Sequence, residues 1–328
     1  MIDRRSIVAG ILSLPFTSGL AGAQALRKSW RIGVLNAGPK DAMAAFDRVL
    51  EDGLRRASYA VGTDVSLDYR YPEWTGEDLP ALAAELVSRN VDVIVAMSNP
   101  AITAAKQATT RLPIVMGLGA DPVGAGFAKS LARPGGNVTG LTADPTLEII
   151  AKELQFLKEA TPTLSRVAVL WNATVPTYAH FFKALVNSHQ RAGLVLTSFP
   201  VDKRDNLERA FGDIARSGAD GVCVFADAFT FGYRSVIADF AVKRRLPMSG
   251  YTREYAEAGA LLSYGPNLLE VYRDAASYVD KILKAGSPAT LPVQLPSKFE
   301  LIINLSTARA LGLTIPPAVL LRADQVIG

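Results

Sequence analysis

Small and polar residues stand where the β-branched runs of this chain end, and they are the groups best suited to hold a small polar solute. Amide, hydroxyl and carboxylate groups take part in hydrogen bonds, and backbone N–H groups at the start of a following helix favour an anion such as a carboxylate. The candidate ligand-binding residues are Asn36, Ser98, Asn99, Gly119, Asp121, Asn172, Asp227, Phe229, Tyr251 and Arg253. Ala37 and Ala120 adjoin them in the same segments.

The same residues also have purely structural explanations. Residues 98–100 form a good helix N-cap with a proline near the first helical position, and residues 121–122 fit the same pattern. Phe229 and Tyr251 fall in loops or at helix starts, which favours a ligand with an apolar body. Core packing explains aromatic side chains equally well, so the sequence leaves both explanations open at each position.

Few groups in the chain are suited to catalysis or to metal binding. The two histidines, His180 and His189, fall in one predicted helix at a spacing that does not place them on one face. Cys223 lies in an apolar run that predicts a buried, inert thiol. Asp121 and Asp227 could act as acid and base, but nothing in the sequence pairs them. No nucleophile elbow, P-loop or dinucleotide motif occurs, so we expect no enzyme, no catalytic residue, no metal and no cofactor.

The elements that must position the candidate residues alternate between short β-branched strands and longer amphipathic helices. The first predicted strand, 31–35, precedes a helix over 42–57 whose apolar residues recur at helical spacing. The alternation continues to about residue 142 and starts again at 166–171. This pattern predicts an α/β fold with two doubly wound parallel-sheet lobes, a hinge and an interlobe cleft. Ligands of such sheets lie at the carboxyl ends of the strands, where the candidate residues fall.

The composition is typical of well-buried globular domains. Hydrophobic residues make up 49% of the 328 residues and charged residues 20%, and the formal net charge is +4. One core rarely holds so long a chain, so we expect two domains. No run of Lys or Arg marks a phosphate-binding face, so nucleic acid is not expected as a partner.

The N-terminus has the features of a signal peptide. Arg4 and Arg5 precede an apolar stretch over 7–23, and small residues follow up to Ala25. The stretch is too short and too interrupted to span a membrane. We expect export by the general secretory or the twin-arginine route, cleavage near Ala25, and a periplasmic protein without stable membrane insertion. Cys223 is the only cysteine, so no lipid-anchor cysteine stands near the leader.

Several motifs together resemble one family of transport proteins. The runs Asp121-Pro-Val-Gly124 and Ser130-Leu-Ala-Arg-Pro-Gly-Gly-Asn-Val-Thr-Gly-Leu141 are similar to a hallmark of the ABC-transporter substrate-binding family that includes the tryptophan- and tyrosine-type binding components. Further segments agree with the family in order, namely 79–86, 91–95, 166–172, 262–267, 278–284 and 311–317. The resemblance covers essentially the whole mature chain. Where related proteins tend to show Gly-Thr or Gly-Ser after the third strand, this chain has residues Ser98-Asn99.

The resemblance implies a type I periplasmic-binding-protein fold, in which the chain crosses between the lobes three times. The expected division is a signal peptide over 1–25, an N-terminal lobe over 30–142 plus 265–290, and a C-terminal lobe over 143–264 plus 291–328. Residues 134–137 suit a tight turn that leads into the first crossing. Residues 291–296 contain two prolines, cannot be helical, and suit the last crossing.

The function implied by the resemblance is that of the extracytoplasmic solute-binding component of an ABC importer. Such a protein, expected here as a monomer, captures an amino acid with an aromatic or branched side chain, or a small carboxylate, by lobe closure and delivers it to a membrane permease. Residues 98–99 with helix-start amides would bind the carboxylate, Asp227 or Asp121 the ammonium, and Phe229 or Tyr251 the side chain. A ligand-sensing domain for a membrane receptor and an exported α/β hydrolase remain alternatives, because a fold does not determine a function.

Overall fold

The computed structural model describes residues 29–36, 38–73, 77–143, 146–189 and 193–328. The predicted signal peptide over 1–25 and the candidate Ala37 lie outside the described residues. Within the described ranges, no helix is both long enough and apolar enough to cross a membrane.

The first of two sheets consists of β1 (Trp30–Leu35), β2 (Val65–Arg70), β3 (Val93–Ala96), β4 (Ile114–Gly119) and β5 (Val138–Thr142). Helices α1 (Lys40–Arg56), α2 (Leu79–Ser88) and α3 (Ser98–Ala108) connect its strands. The strand order is β2-β1-β3-β4-β5, and every pair is parallel. The central strands are nearly continuous apolar runs because helices cover both faces of the sheet.

The second sheet consists of β6 (Arg166–Asn172), β7 (Val195–Val201), β8 (Gly221–Val224), β9 (Met248–Gly250), β10 (Leu262–Gly265), β11 (Glu300–Asn304) and β12 (Gln325–Ile327). Its strand order is β12-β11-β10-β9-β8-β6-β7. The helices that pack on it are α4 (Leu147–Ala160), α5 (Pro176–His189), α6 (Arg204–Ser217), α7 (Ala228–Gly232), α8 (Arg234–Lys243), α9 (Arg253–Glu257), α12 (Leu305–Leu311) and α13 (Pro317–Leu320). The α/β fold with two parallel-sheet lobes is thereby confirmed.

One strand pair departs from the expected parallel arrangement. Strand β11 is antiparallel to β10, with Glu300 opposite Gly265. The chain leaves the second sheet at the carboxyl end of β10, and β11 begins at that same end, beside Gly265. The returning strand must therefore run in the opposite direction.

In the chain, β10 and β11 are separated by α10 (Leu268–Arg273) and α11 (Ala275–Leu283), and these two helices pack on the first sheet. Tyr272 and Val279 share a core with Ile32 of β1. Val293 packs in the core on the other face of this sheet, and residue 294 pairs with residue 141. Because residues 291–294 are held by the first sheet, we propose that the last lobe boundary lies after residue 294 rather than at 290.

Candidate functional site

The strand order of each sheet opens a crevice at the carboxyl ends of two neighbouring strands. In the first sheet β1 has β2 on one side and β3 on the other, and in the second sheet β6 lies between β7 and β8. A switch point of this kind is where doubly wound sheets bind ligands. Asn36 follows β1 and Ser98 begins α3 after β3, whereas Asn172 ends β6 and Asp227 follows β8. The structure thus places these predicted residues at the two switch points.

Asn36 is completely buried and belongs to a polar cluster with Asp47 of α1 and with Tyr71, which follows β2. The Asn36 Nδ2 atom donates to Asp47 Oδ1 (3.2 Å), and the Tyr71 hydroxyl donates to Asp47 Oδ2 (2.7 Å). Burial raises the pKa of the Asp47 carboxyl, and the two hydrogen bonds offset part of that rise. Asp47 is not among the candidate residues predicted from the sequence. The available signal was a carboxylate among the buried residues of α1, beside Phe46 and Leu50.

The backbone of Ser98 has a φ of +75°, in the left-handed region that favours glycine. Four other non-glycine residues with positive φ, Ser58, Asn90, Arg245 and Ala285, stand just after helix ends, where this conformation is common. Ser98 instead stands at the start of α3, and it does not cap that helix, whose N-cap position is Met97. An unusual backbone conformation at a strand end is typical of a ligand-binding segment.

Asn99 joins the ends of β3 and β4 through the backbone of Ala120. Its Nδ2 atom donates to the Ala120 carbonyl (2.8 Å), and its Oδ1 atom accepts from the Ala120 N–H (2.8 Å). Gly119 is buried at the end of β4, and Asp121, with a φ of +41°, accepts the Gly124 N–H on Oδ1 (2.9 Å). The predicted residues Ser98, Asn99, Gly119 and Asp121 therefore lie together. The side chain of Asn99 holds the Ala120 backbone, a structural role that the helix-cap explanation of residues 98–100 did not include.

Replacing Asn99 with alanine should lower the free energy of unfolding by about 2 kcal/mol, because two hydrogen bonds to a partly buried peptide group are lost. Urea denaturation measures this change. Thr103→Ala is the matched control, since Thr103 is an exposed residue of the same helix and should change stability by less than about 0.5 kcal/mol. Equal stabilities of the two variants would contradict this role for Asn99.

Asn172 and Asp227 contact each other across the second switch point. Asn172 Nδ2 donates to Asp227 Oδ2, and the other carboxylate oxygen, Oδ1, accepts from the Thr230 N–H and hydroxyl (both 2.9 Å). Thr230 also accepts the Asp227 N–H, so the two residues form a capping box for α7. Burial raises the pKa of Asp227, and these hydrogen bonds counteract part of the rise. The structure gives this carboxylate a capping role, which competes with the predicted role of binding an ammonium group.

The remaining predicted residues lie at the ends of β8 and β9 and make contacts within the second lobe. Phe229 packs against Tyr233 with ring centroids 4.9 Å apart, and Tyr251 is 3% exposed. Arg253 lies 3.4 Å from Glu300 Oε1 and donates to Gln325 Oε1 (2.6 Å). The guanidinium thus ties α9 to β11 and β12, a contact between distant segments that the sequence did not reveal.

The residues considered for catalysis are not assembled into a reactive group. Cys223 is fully buried, and burial raises the pKa of its thiol well above the usual value. His180 is an exposed residue of α5. Among the described residues, no cluster of three or more His, Cys, Asp or Glu side chains could hold a metal ion.

Comparison with known proteins identifies one family and several relatives. A family model described as ABC transporter substrate binding protein matches residues 31–327. A tyrosine-binding protein of Clostridioides difficile (strain R20291) is 25% identical over 276 residues, which cover 83% of this chain and 76% of the relative.

Several solved structures are similar in fold to this chain. The ABC domain of Streptococcus pneumonia in complex with L-Trp superposes with a TM-score of 0.84 at 25% identity and covers 92% of this chain and 100% of that chain. A conserved domain protein of Vibrio cholerae has a TM-score of 0.83 at 29% identity, covering 91% and 100% of the respective chains. The leucine-binding protein LivK of Thermotoga maritima (TM-score 0.56, 14% identity, 79% and 84% covered) shares the fold.

Proposed function

Because this chain belongs to the family of ABC transporter substrate-binding proteins, we propose that it is the periplasmic component of an importer and captures an amino acid, aromatic or branched, at its two switch points. The likeness to a tryptophan-bound ABC domain over 92% of the chain is the observation that carries this proposal. The tyrosine-binding relative supports the same class of ligand. Binding without turnover fits the capping and packing roles of the candidate carboxylates and aromatic residues.

The proposed mechanism is closure of the two lobes over the solute. The ligand first contacts the polar strand ends of one lobe, and the other lobe adds contacts only when the crevice closes. A ligand favours the closed form only by the difference between its affinities for the two forms. A permease would then bind the closed form and accept the solute.

The mature chain from Leu26 onward should be stabilised by L-tryptophan or L-tyrosine in a saturable way. A ligand at 100 times its dissociation constant adds about 2.7 kcal/mol to the free energy of unfolding, which a thermal-shift assay detects as an increase of several degrees in Tm. L-Leucine represents the branched members of the proposed class, benzoate and glucose are the comparison compounds outside it, and the bound compound should be recovered unchanged. The absence of a shift with every amino acid would reject the proposed ligand class, and consumption of the compound would favour an enzyme.

A further inference from the structure

The polar cluster of Asn36, Asp47, Tyr71 and Tyr272 contains buried groups whose hydrogen-bonding capacity is not used. Tyr272 of α10 is fully buried, and its ring packs edge-on against that of Phe46, the neighbour of Asp47 in α1 (centroids 5.5 Å apart). Burial raises the pKa of its hydroxyl, and Asp47 and Tyr71 add to that rise. The Asn36 Oδ1 atom and the Tyr272 hydroxyl are both buried, and neither has a hydrogen-bond partner among the described residues. A buried polar group without a partner costs free energy, so a missing partner is indicated.

The chemistry of the missing partner follows from the orientation of the groups. Asn36 turns its Nδ2 atom toward the Asp47 carboxylate, which leaves its carbonyl oxygen as a free acceptor. The carboxylate itself receives two donors, from Asn36 and Tyr71, whereas an ionised carboxylate offers about four acceptor positions. The cluster therefore has an excess of acceptors.

The charge of the cluster is also uncompensated. Within the described ranges, no Lys or Arg forms an ion pair with Asp47, and the neighbouring Glu51 adds further negative potential. Lys40 acts on Asp47 only as a minor electrostatic influence. Asp227 differs, because its oxygens accept three hydrogen bonds, two from Thr230 and one from Asn172. Asp47 accepts only two, so of these two carboxylates it has more unused acceptor positions.

We infer that this cluster binds the ammonium group of the solute, with the Asp47 carboxylate supplying the charge and Asn36 Oδ1 and the Tyr272 oxygen accepting its N–H groups. The inference rests on the proposed function and adds to it the lobe and the residues that recognise the amine. Tyr71 is partly exposed while Asn36 and Asp47 are buried, so the solute reaches the cluster past the Tyr71 ring. That ring stacks on Tyr69 (centroids 5.9 Å apart), and such an aromatic surface attracts both a cation and an aromatic side chain.

The test compares L-tryptophan with indole-3-propionic acid, which keeps the indole and the carboxylate but lacks the amine. Calorimetric titration of the mature chain should show that Asp47→Asn weakens L-tryptophan binding by about tenfold or more, because a charge-assisted contact is lost. Binding of indole-3-propionic acid should change by less than about twofold. Tyr272→Phe should weaken only the amine-bearing ligand and leave thermal stability unchanged or higher, since the hydroxyl has no partner to lose.

Asp52→Asn is the matched control, because Asp52 is exposed on the same helix and should affect neither ligand. Equal losses for both ligands in Asp47→Asn, or loss of amine selectivity in Asp227→Asn with none in Asp47→Asn, would overturn the inference. Tryptamine separates this failure from that of the proposed function. If the wild type binds tryptamine through Asp47 but binds no amino acid, the amine site stands and the proposed ligand class falls. If it binds no amine at all, the amine site falls as well.

Discussion

Replacing Glu153 with glutamine should stabilise the protein by roughly 3–5 kcal/mol at pH 8 and leave its stability nearly unchanged at pH 4. Glu153 lies on α4 with 1% of its surface exposed, and its Oε1 atom accepts from the Cys223 thiol at 3.5 Å. Among the described ion pairs none includes Glu153. Burial raises the pKa of this carboxyl to about 8, and the neighbouring Ser249 and Cys223 lower it only in part. Glutamine has nearly the same shape and never carries the charge.

The direction of the pH dependence follows from the two pKa values. Below pH 4.5, the ordinary value, the carboxyl is protonated in both the folded and the unfolded chain, so it does not affect stability. Between pH 4.5 and about 8 the unfolded chain releases the proton and the folded protein keeps it, so stability falls as the pH rises. Each pH unit in that window costs at most about 1.4 kcal/mol. Above about pH 8 the loss is complete and constant.

Guanidinium unfolding of the wild type and of Glu153→Gln at pH 4 and at pH 8 measures this effect. Glu148→Gln is the control, because Glu148 is exposed in the first turn of the same helix and should change stability by less than about 0.5 kcal/mol. A wild type that is no less stable than the variant at pH 8 would show that Glu153 is not a buried, uncompensated acid.

Replacing Gly140 with alanine should destabilise the protein by about 3 kcal/mol or more, since both the backbone conformation and the available space require glycine. Gly140 lies in β5 with a φ of +129°. A Cβ atom there would lie 2.4 Å from the carbonyl oxygen and 2.6 Å from the nitrogen of Met116 in the adjacent β4. These are backbone atoms of a buried strand, so they cannot move aside without disturbing the pairing of β4 and β5.

Urea denaturation of Gly140→Ala and of Gly136→Ala compares the losses in the free energy of unfolding at two glycines of one motif. Gly136 lies in the same run, residues 130–141, and a Cβ atom added there has open space around it. Its replacement should change stability by less than about 1 kcal/mol. Similar losses in both variants would mean that the close approach of β4 and β5 does not explain the glycine. Gly140→Ala should also bind ligand less well, because β5 leads into the predicted first crossing between the lobes.

The hallmark run over 130–141 shows how far a motif could be interpreted from the sequence. A tight turn before the crossing was predicted, and the structure has a positive φ at Gly135 and, after it, strand β5. The role of Asn137 was not predicted in detail. Its Nδ2 atom donates to the carbonyl oxygens of Thr109 and Leu112, which lie 28 and 25 residues earlier in the chain. Asn137 thus also holds the loop before β4 in place through hydrogen bonds.

Asp47 and Glu153 were overlooked for a common reason. Each is a carboxylate on the apolar face of an amphipathic helix, Asp47 beside Phe46 and Leu50 and Glu153 beside Ile150 and Leu154. Hydrophobic periodicity predicts the helices, but it does not single out a charged residue that shares the buried positions. A search for such residues along each predicted helix would have selected both.

The sequence by itself determined the alternation of strands and helices, the family, and the strand ends at which polar residues stand. These features depend on neighbours along the chain, because hydrophobic spacing and turn-forming residues act locally. Only the tertiary structure decided that residues 291–294 stay with the first sheet, that β11 runs antiparallel, and which groups pair with one another. Asn99 forms hydrogen bonds with Ala120, Asn172 with Asp227 and Asn36 with Asp47, because packing brings separate segments together. Such hydrogen-bond partners are set by the global fold, and no local pattern in the chain records them.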